Sequence, residues 1–349
     1  MAAVQRGLVK PQVAEYVLVS DAHISDRPPS SCTGSYQADI LDLLSQTVEL
    51  ARSRHAEAVV IAGDLFHCKA PSRTSHKLIM LLMSLFTGSP PVYVVPGNHD
   101  LQYDRQESLS ETQPLGVLAK AGAVRLLAGW DLENYSGAMG DKPPLLYGVP
   151  WLQGYGAYTE ASDVAVARAL EVYRKTALVV TKSASPLVVT HAPLYPPGKE
   201  LPYEFFPAGR WAEAMGGYGS VFYGHVHEPH GTYEVGGVTF CNNGALSRGS
   251  LHEYNLKRQV GATVWDDQAG YFTFVPLNAR PASEVFRLQE HAQAMTISAR
   301  LGEFLSAITS TSLGVVSTES VLEHFRNLDG IGAVEMGLIE ELLAGAQLA

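Results

Sequence analysis

Apolar residues along the first hundred positions come in short runs, each closed by a polar residue. Residues 16–20 (YVLVS) form one β-rich run that ends at Asp21, and residues 58–62 form a second that ends at Gly63-Asp64. A third, over 92–95, ends at Pro96-Gly97-Asn98. Between them, Ile40, Leu43, Leu44, Val48 and Ala51 fall at helical spacing within 39–54, and residues 73–87 read as a second helix. Strand, helix, strand, helix, strand is an α/β signature, and such folds bind ligands beyond the carboxyl ends of their strands.

The second part of the chain repeats the pattern less regularly. Residues 145–149 predict a strand and 163–182 a helix; 186–190 and 220–223 predict strands that end at His191 and Gly224-His225. A β region follows: 232–235, a Gly236-Gly237 turn, 238–241 and a hairpin over 260–275. Parallel strands early and antiparallel hairpins late predict an α/β fold built as a two-sheet mixed β-sandwich flanked by helices.

A boundary is expected near Asn278–Pro281, dividing the chain into residues 1–278 and a helical C-terminal region, 279–349. The latter contains candidate helices at 284–308, after a Ser317 or Thr318 cap, and over Val334, Leu338, Ile339, Leu342 and Leu343. It holds four Lys/Arg against nine Asp/Glu, and the whole chain carries a net charge of −10. Neither part has the basic excess of a typical nucleic-acid binder, so any grip on DNA must come from metals, a local basic rim or a partner protein.

With 46% apolar residues the 349-residue chain can bury a sizeable core. Its longest strongly apolar stretch, residues 78–86, is too short to span a bilayer, and no basic segment leads into an apolar run at the N-terminus. Cys32, Cys68 and Cys241 are scattered and form no CxxC pair, which fits a reducing cytoplasm better than a disulfide framework. The helix over 78–86 is apolar nearly all round. It reads either as a core helix or as part of a homodimer interface.

The polar residues at the strand ends are, in order, Asp21-Ala22-His23, Gly63-Asp64, Gly97-Asn98-His99-Asp100, His191 and Gly224-His225-Val226-His227. Two divalent ions need oxygen and imidazole donors and one carboxylate able to bridge them at roughly 3.5–4 Å. These segments supply two carboxylates, an amide oxygen and four imidazoles, with His99 left over for catalysis. A lone histidine on a strand is more often packed than ligating, but six of the twelve histidines lie in these segments or at His67, so chance is a poor account.

The ordered set D-x-H, G-D, G-N-H-[DE], H and G-H-x-H resembles the calcineurin-like metallophosphoesterases. Gly63-Asp64-Leu65-Phe66-His67 followed by Pro71-Ser72, and Asn243-Gly244-Ala245-Leu246-Ser247-Arg248, resemble the SbcD-type DNA-repair nuclease branch. The chain departs from that branch in having Ile24-Ser25 in place of Leu-Gly and Asn242-Asn243-Gly244 in place of Asn-Pro-Gly.

The resemblance implies that Asp21, His23 and His227 bind a first metal, Asn98, His191 and His225 a second, and that Asp64 bridges. His99 would sit over the scissile phosphate and help protonate the leaving oxygen, with His67 hydrogen-bonding and orienting it. The implied cofactor is a pair of divalent ions, manganese foremost; the implied partners are DNA, an SbcC-type coiled-coil ATPase and a second copy of the chain. Lys69, Arg73, Arg105 and Arg248 lie near the motifs and are candidates for DNA phosphates, against the plainer reading of scattered surface charge. Asp100 is either a support for the site or a helix cap. A phosphoesterase acting on a small molecule or a phosphoprotein shares the same motifs; a non-catalytic scaffold would be expected to have lost ligands, and none is missing.

Overall fold

In the computed structural model the described residues are 14–290, apart from 89, 131–145, 153–154, 156–158, 181–185 and 200–204. Beyond 290 they are 293, 319, 322–323, 326, 336–337 and 340. The candidate helices of the C-terminal region therefore lie almost wholly outside the described residues.

The first half of the fold runs β1 (Glu15–Val19), α1 (Tyr36–Ser53), β2 (Ala58–Ala62), α2 (His76–Phe86), β3 (Val92–Val95), α3 (Ser108–Glu111), α4 (Pro114–Lys120) and β4 (Arg125–Leu126). The second runs β5 (Gly129–Trp130), β6 (Leu146–Val149), α5 (Glu160–Val180), β7 (Leu187–His191), β8 (Leu194–Tyr195), β9 (Phe206–Pro207), α6 (Ala208–Met215) and β10 (Ser220–Gly224). It continues with β11 (Gly231–Val235), β12 (Val238–Asn242), α7 (Glu253–Lys257), β13 (Gly261–Asp266), β14 (Phe272–Pro276) and α8 (Ala282–Val285).

Two six-stranded sheets result, in the orders β14-β13-β1-β2-β3-β4 and β11-β12-β10-β7-β6-β5. Strands β1, β2 and β3 are parallel, as are β6, β7 and β10. The late hairpin β13-β14 returns to the first sheet, pairing antiparallel with β1 through Leu18 and Thr263. Every residue of β2 is buried, as expected of a strand covered on both faces. Its alternation sends Ala58, Val60 and Ala62 toward the second sheet, where they join Leu187, Val189, Phe222 and Cys241 in one core with Trp265.

Helix α1 buries Ile40, Leu43, Leu44, Thr47, Val48 and Ala51, one face of a 3.6-residue repeat, with Asp39 in its first turn and Arg52 in its last. Helix α2 begins at Ser75, whose side chain accepts the Leu78 N–H at 3.1 Å. It buries Leu78, Leu82 and Phe86 along one face and leaves Met80 exposed, so it is a one-sided helix and not a core helix buried all round. Helix α6, which periodicity did not single out, is a short helix built on Trp211 and Met215.

The chain divides into two compact units, Met1–Phe286 and Arg287–Ala349. Residues 279–286 belong to the first. Arg280 pairs with Asp39 of α1 at 3.1 Å, and Val285 and Phe286 are buried, Phe286 bridging to Cys32.

Candidate metal centre

The loops after β1 and β2 stay zipped together past the end of the sheet. Asp21 N–H donates to the Gly63 carbonyl at 3.1 Å, His23 N–H to Asp64 at 2.9 Å and Ile24 N–H to Leu65 at 2.9 Å. This fixes Asp21-x-His23 against Gly63-Asp64. Asp21, His23, Asp64 and His225 all have positive φ, between 45° and 81°, a conformation that costs non-glycine residues of order 1–3 kcal/mol each. Gly63 (φ 85°) abuts the His191 ring so closely that any side chain would overlap it. Gly97 lies equally close to the Asp64 carboxylate.

Around this seam the side chains converge. Asp64 Oδ2 lies 3.5 Å from His23 Nε2 and 3.3 Å from His191 Nε2, between two groups of donors. On one side stand Asp21, His23 and His227, with Asp21 Oδ1 3.8 Å from His23 Nε2 and 3.6 Å from His227 Nε2. On the other, Asn98 Oδ1 is 3.1 Å from both His191 Nε2 and His225 Nδ1. All seven expected ligands thus meet at one place. Among the described residues, Asp21–His23–His227, Asp21–Asp64–His191 and His23–His67–His99 each bring three donor atoms within 4.8 Å of one another.

The electrostatics suit cations. Burial alone would raise the Asp21 carboxyl, but the hydrogen bond and charge of His227, with His191, hold it at about 2. Asp64 is likewise opposed by burial and held far below the carboxylate range by His191 and His23. Burial drives His23 down to about 3 and His225 to about 4, leaving neutral rings with free lone pairs. For His191 burial is outweighed by Asp64, Asp21 and the Ala62 carbonyl, and its pKa rises to about 9. That proton and a metal ion compete for the same lone pair, so metal binding there releases a proton. Two ionised carboxylates buried among imidazoles form a donor set that fits two divalent ions.

The supporting contacts are also specific. Asp21 accepts the His225 N–H through both oxygens, at 3.0 and 3.1 Å. Asp64 Oδ1 accepts the His99 N–H at 2.7 Å, and His191 Nδ1 donates to the Ala62 carbonyl at 2.9 Å. Asp100 caps no helix. It accepts the N–H groups of Gly97 (3.0 Å) and Phe66 (3.1 Å), tying the Gly97 turn to the loop that carries Asp64. Burial, and then the charge of Asp64, push its carboxyl up to about 7.

Two expected residues sit differently. His99 Nδ1 donates at 2.5 Å to the main-chain carbonyl of His67, not to its imidazole; the two rings stack at 5.6 Å. Residue 67 therefore positions His99 through backbone that any side chain provides. Arg248 is no phosphate contact. It is buried, and its guanidinium donates to the Arg280 carbonyl, stapling residues 279–286 to the core. Lys69, Arg73 and Arg105 are exposed, Lys69 pairing with Asp104 at 3.4 Å.

Sequence reading missed Trp151, whose buried ring lies 4.8 Å from His225 and 6.0 Å from His191. It also missed the work of Asn242, whose amide donates to the Tyr223 and Val226 carbonyls at 3.0 Å each and so holds the Gly224–His227 loop. Their only signal was position, each just after a strand end or at one.

The calcineurin-like phosphoesterase profile matches residues 15–229, which contain every residue of this cluster. The chain belongs to the calcineurin-like phosphoesterases. It is 26% identical over 216 residues to the DNA double-strand break repair protein Mre11 of Saccharolobus solfataricus, covering 60% of this chain and 48% of that one. With the protein of the same name from Sulfolobus acidocaldarius it shares 24% over 259 residues, 71% and 59% of the two chains. The chain thus spans only about half the length of these relatives. Among solved structures it resembles TT1561 of Thermus thermophilus (TM-score 0.46, 16% identity, 76% of this chain and 99% of that one). A dimetal phosphatase from Danio rerio also aligns (TM-score 0.40, 14% identity, 76% and 99%). Metallophosphoesterases hydrolyse phosphate esters with divalent metals, and this chain carries the family's donor types. No helix among the described residues is long and apolar enough to cross a membrane.

Proposed function

We propose that the chain is a manganese-dependent DNA nuclease of the SbcD type, acting in DNA repair or recombination in the cytoplasm. The observation that carries the proposal is Asp64 Oδ2, set between His23 and His191 with the His99 main chain anchored to the same carboxylate. Asp21, His23 and His227 would hold one ion and Asn98, His191 and His225 the other, with Asp64 placed to serve both. Bound there, two divalent ions would activate water for in-line attack and neutralise the phosphate.

The protein's own part is positioning and proton handling. His99 keeps its Nδ1–H engaged with the His67 carbonyl, which leaves Nε2 for the substrate; as the imidazolium it gives the Nε2 proton to the leaving oxygen and returns to the neutral ring. Asp100 keeps the turn carrying Asn98 and His99 in register with Asp64. Lys69, Arg73 and Arg105, exposed in the segments flanking His67 and His99, serve as the basic rim for DNA phosphates. The acidic unit after Phe286 serves to dock an SbcC-type ATPase, and the exposed side of α2 a second copy of the chain. Similarity to two Mre11 proteins supports the substrate.

A second reading, a phosphoesterase for small molecules or phosphoproteins, draws on the net charge of −10 and on the loss of Arg248 from the rim. Incubating the purified protein with end-labelled single- and double-stranded DNA in manganese decides between them. Cleavage abolished by chelator is expected. Hydrolysis of p-nitrophenyl phosphate with intact DNA would favour the second reading.

A further inference from the structure

His23, His67 and His99 form a second donor group, of which the two-metal arrangement uses only His23. One ring nitrogen of each lies within 4.8 Å of the others. Their ring centroids are 4.8 Å (His23–His99), 5.5 Å (His23–His67) and 5.6 Å (His67–His99) apart. His99 spends its Nδ1 on the His67 carbonyl, which leaves Nε2 as its donor. His67 is exposed at the rim.

His23 is the member shared with the proposed catalytic set, and it is held differently from His191. His191 is pinned by the Ala62 carbonyl, as metal-ligating imidazoles usually are. The buried His23 Nδ1 has no hydrogen-bond partner. The Asp21 and Asp64 carboxylates lie 3.8 and 3.5 Å from His23 Nε2, and the His67 and His99 rings lie 5.5 and 4.8 Å from the His23 ring.

The geometry points to an inhibitory metal site made of His23, His67 and His99, selective for zinc-class ions and exclusive with the first catalytic ion. The inference rests on the metal reading of the previous section. Three imidazoles without a carboxylate suit Zn²⁺, which accepts three protein ligands plus water in a tetrahedral site. Manganese prefers sets containing carboxylate oxygens, which is what Asp21, Asp64, His23 and His227 offer. An ion on the imidazole triad takes His23 from the first site and ties up the His99 Nε2, removing a ligand and the proton donor together. Excess zinc should then silence the enzyme while the second site, with Asn98, His191 and His225, keeps its ion.

The test loads the full chain with manganese, follows bound and free manganese by electron paramagnetic resonance, and titrates zinc chloride, with magnesium chloride as control. Wild type should release one manganese per zinc bound and lose cleavage of a small chromogenic diester over the same zinc range; magnesium should do neither. In His67→Ala, a substitution at an exposed position that leaves the core intact, the zinc midpoint for manganese release should rise by about tenfold or more, since even outer-shell partners are worth 10–100-fold in affinity. Equal midpoints in the two proteins, or release of both manganese ions together, would overturn the triad site while leaving the two-metal reading in place. A wild-type protein that takes up no manganese would overturn that underlying reading and the triad with it.

Discussion

The two sheets contribute unlike chemistry to the same cluster. The first, through the loops after β1, β2 and β3, brings both carboxylates, Asp21 and Asp64, with Asn98, His23 and His99. The second, through β7 and the loop after β10, brings only imidazoles: His191, His225 and His227. The first supplies negative charge and the second sets it, since His191 and His227 hold Asp21 ionised and His191 holds Asp64 so. Burial of either carboxylate without the facing imidazoles would cost far more than it returns. Neither sheet alone carries the two-metal donor set, which assembles only where their carboxyl ends meet.

The comparison is broken most completely at the bridge. Asp64→Ala removes the first sheet's link to both donor groups. It should abolish turnover and lower the content of both ions, measured by elemental analysis; two retained metals with normal turnover would remove Asp64 from the bridge. His99→Ala should reduce diester cleavage by about 10²-fold with metal content near wild type. Equal loss of metal would make His99 a ligand.

Next in size is the edge of the first unit. A chain ending at Asn278 loses the buried Val285 and Phe286, each worth about 1.5–3 kcal/mol, and the Arg280–Asp39 pair. It should melt well below one ending at Phe286, as followed by circular dichroism. Comparable melting of the two would show that these residues add nothing to the core.

At the seam itself, Gly63→Ala places a methyl in the His191 ring at φ 85°. It should cost about 1–3 kcal/mol in urea unfolding and weaken metal binding on the second sheet's side. Unchanged binding would mean that the sheets meet less tightly than described. Smallest is Arg248→Ala, which should lower stability by about 1 kcal/mol and leave DNA affinity and its salt dependence unchanged; a flatter salt slope would return Arg248 to the substrate rim.

Much of this was legible beforehand. The strands at 58–62 and 92–95 lie where apolar runs bounded by Gly, Pro and Asp placed them, because a fully buried parallel strand leaves no polar position inside it. The ligand types were legible for a related reason: buried Asp and His at successive strand ends are too costly to occur without a common purpose. Helix α2 was harder. Its run HKLIMLLMSLF is apolar at nearly every position, so pattern could not tell which side is covered; the helix packs against α4 and α1, with Leu78, Leu82 and Phe86 buried and Met80 left out.

The order of the main strands and the class of the fold were properties of the sequence by itself, since both depend on local periodicity, and the proposed metal donors were named by an ordered set of motifs that resembles a known family. Tertiary structure alone decided that Arg248 faces inward, that the His67 carbonyl and not its ring holds His99, that Trp151 covers His225, and that residues 279–286 finish the first unit. These outcomes depend on which surfaces meet across separations of 32 to 241 residues along the chain. A guanidinium, a main-chain carbonyl or an indole carries no mark in the sequence of what will be packed against it.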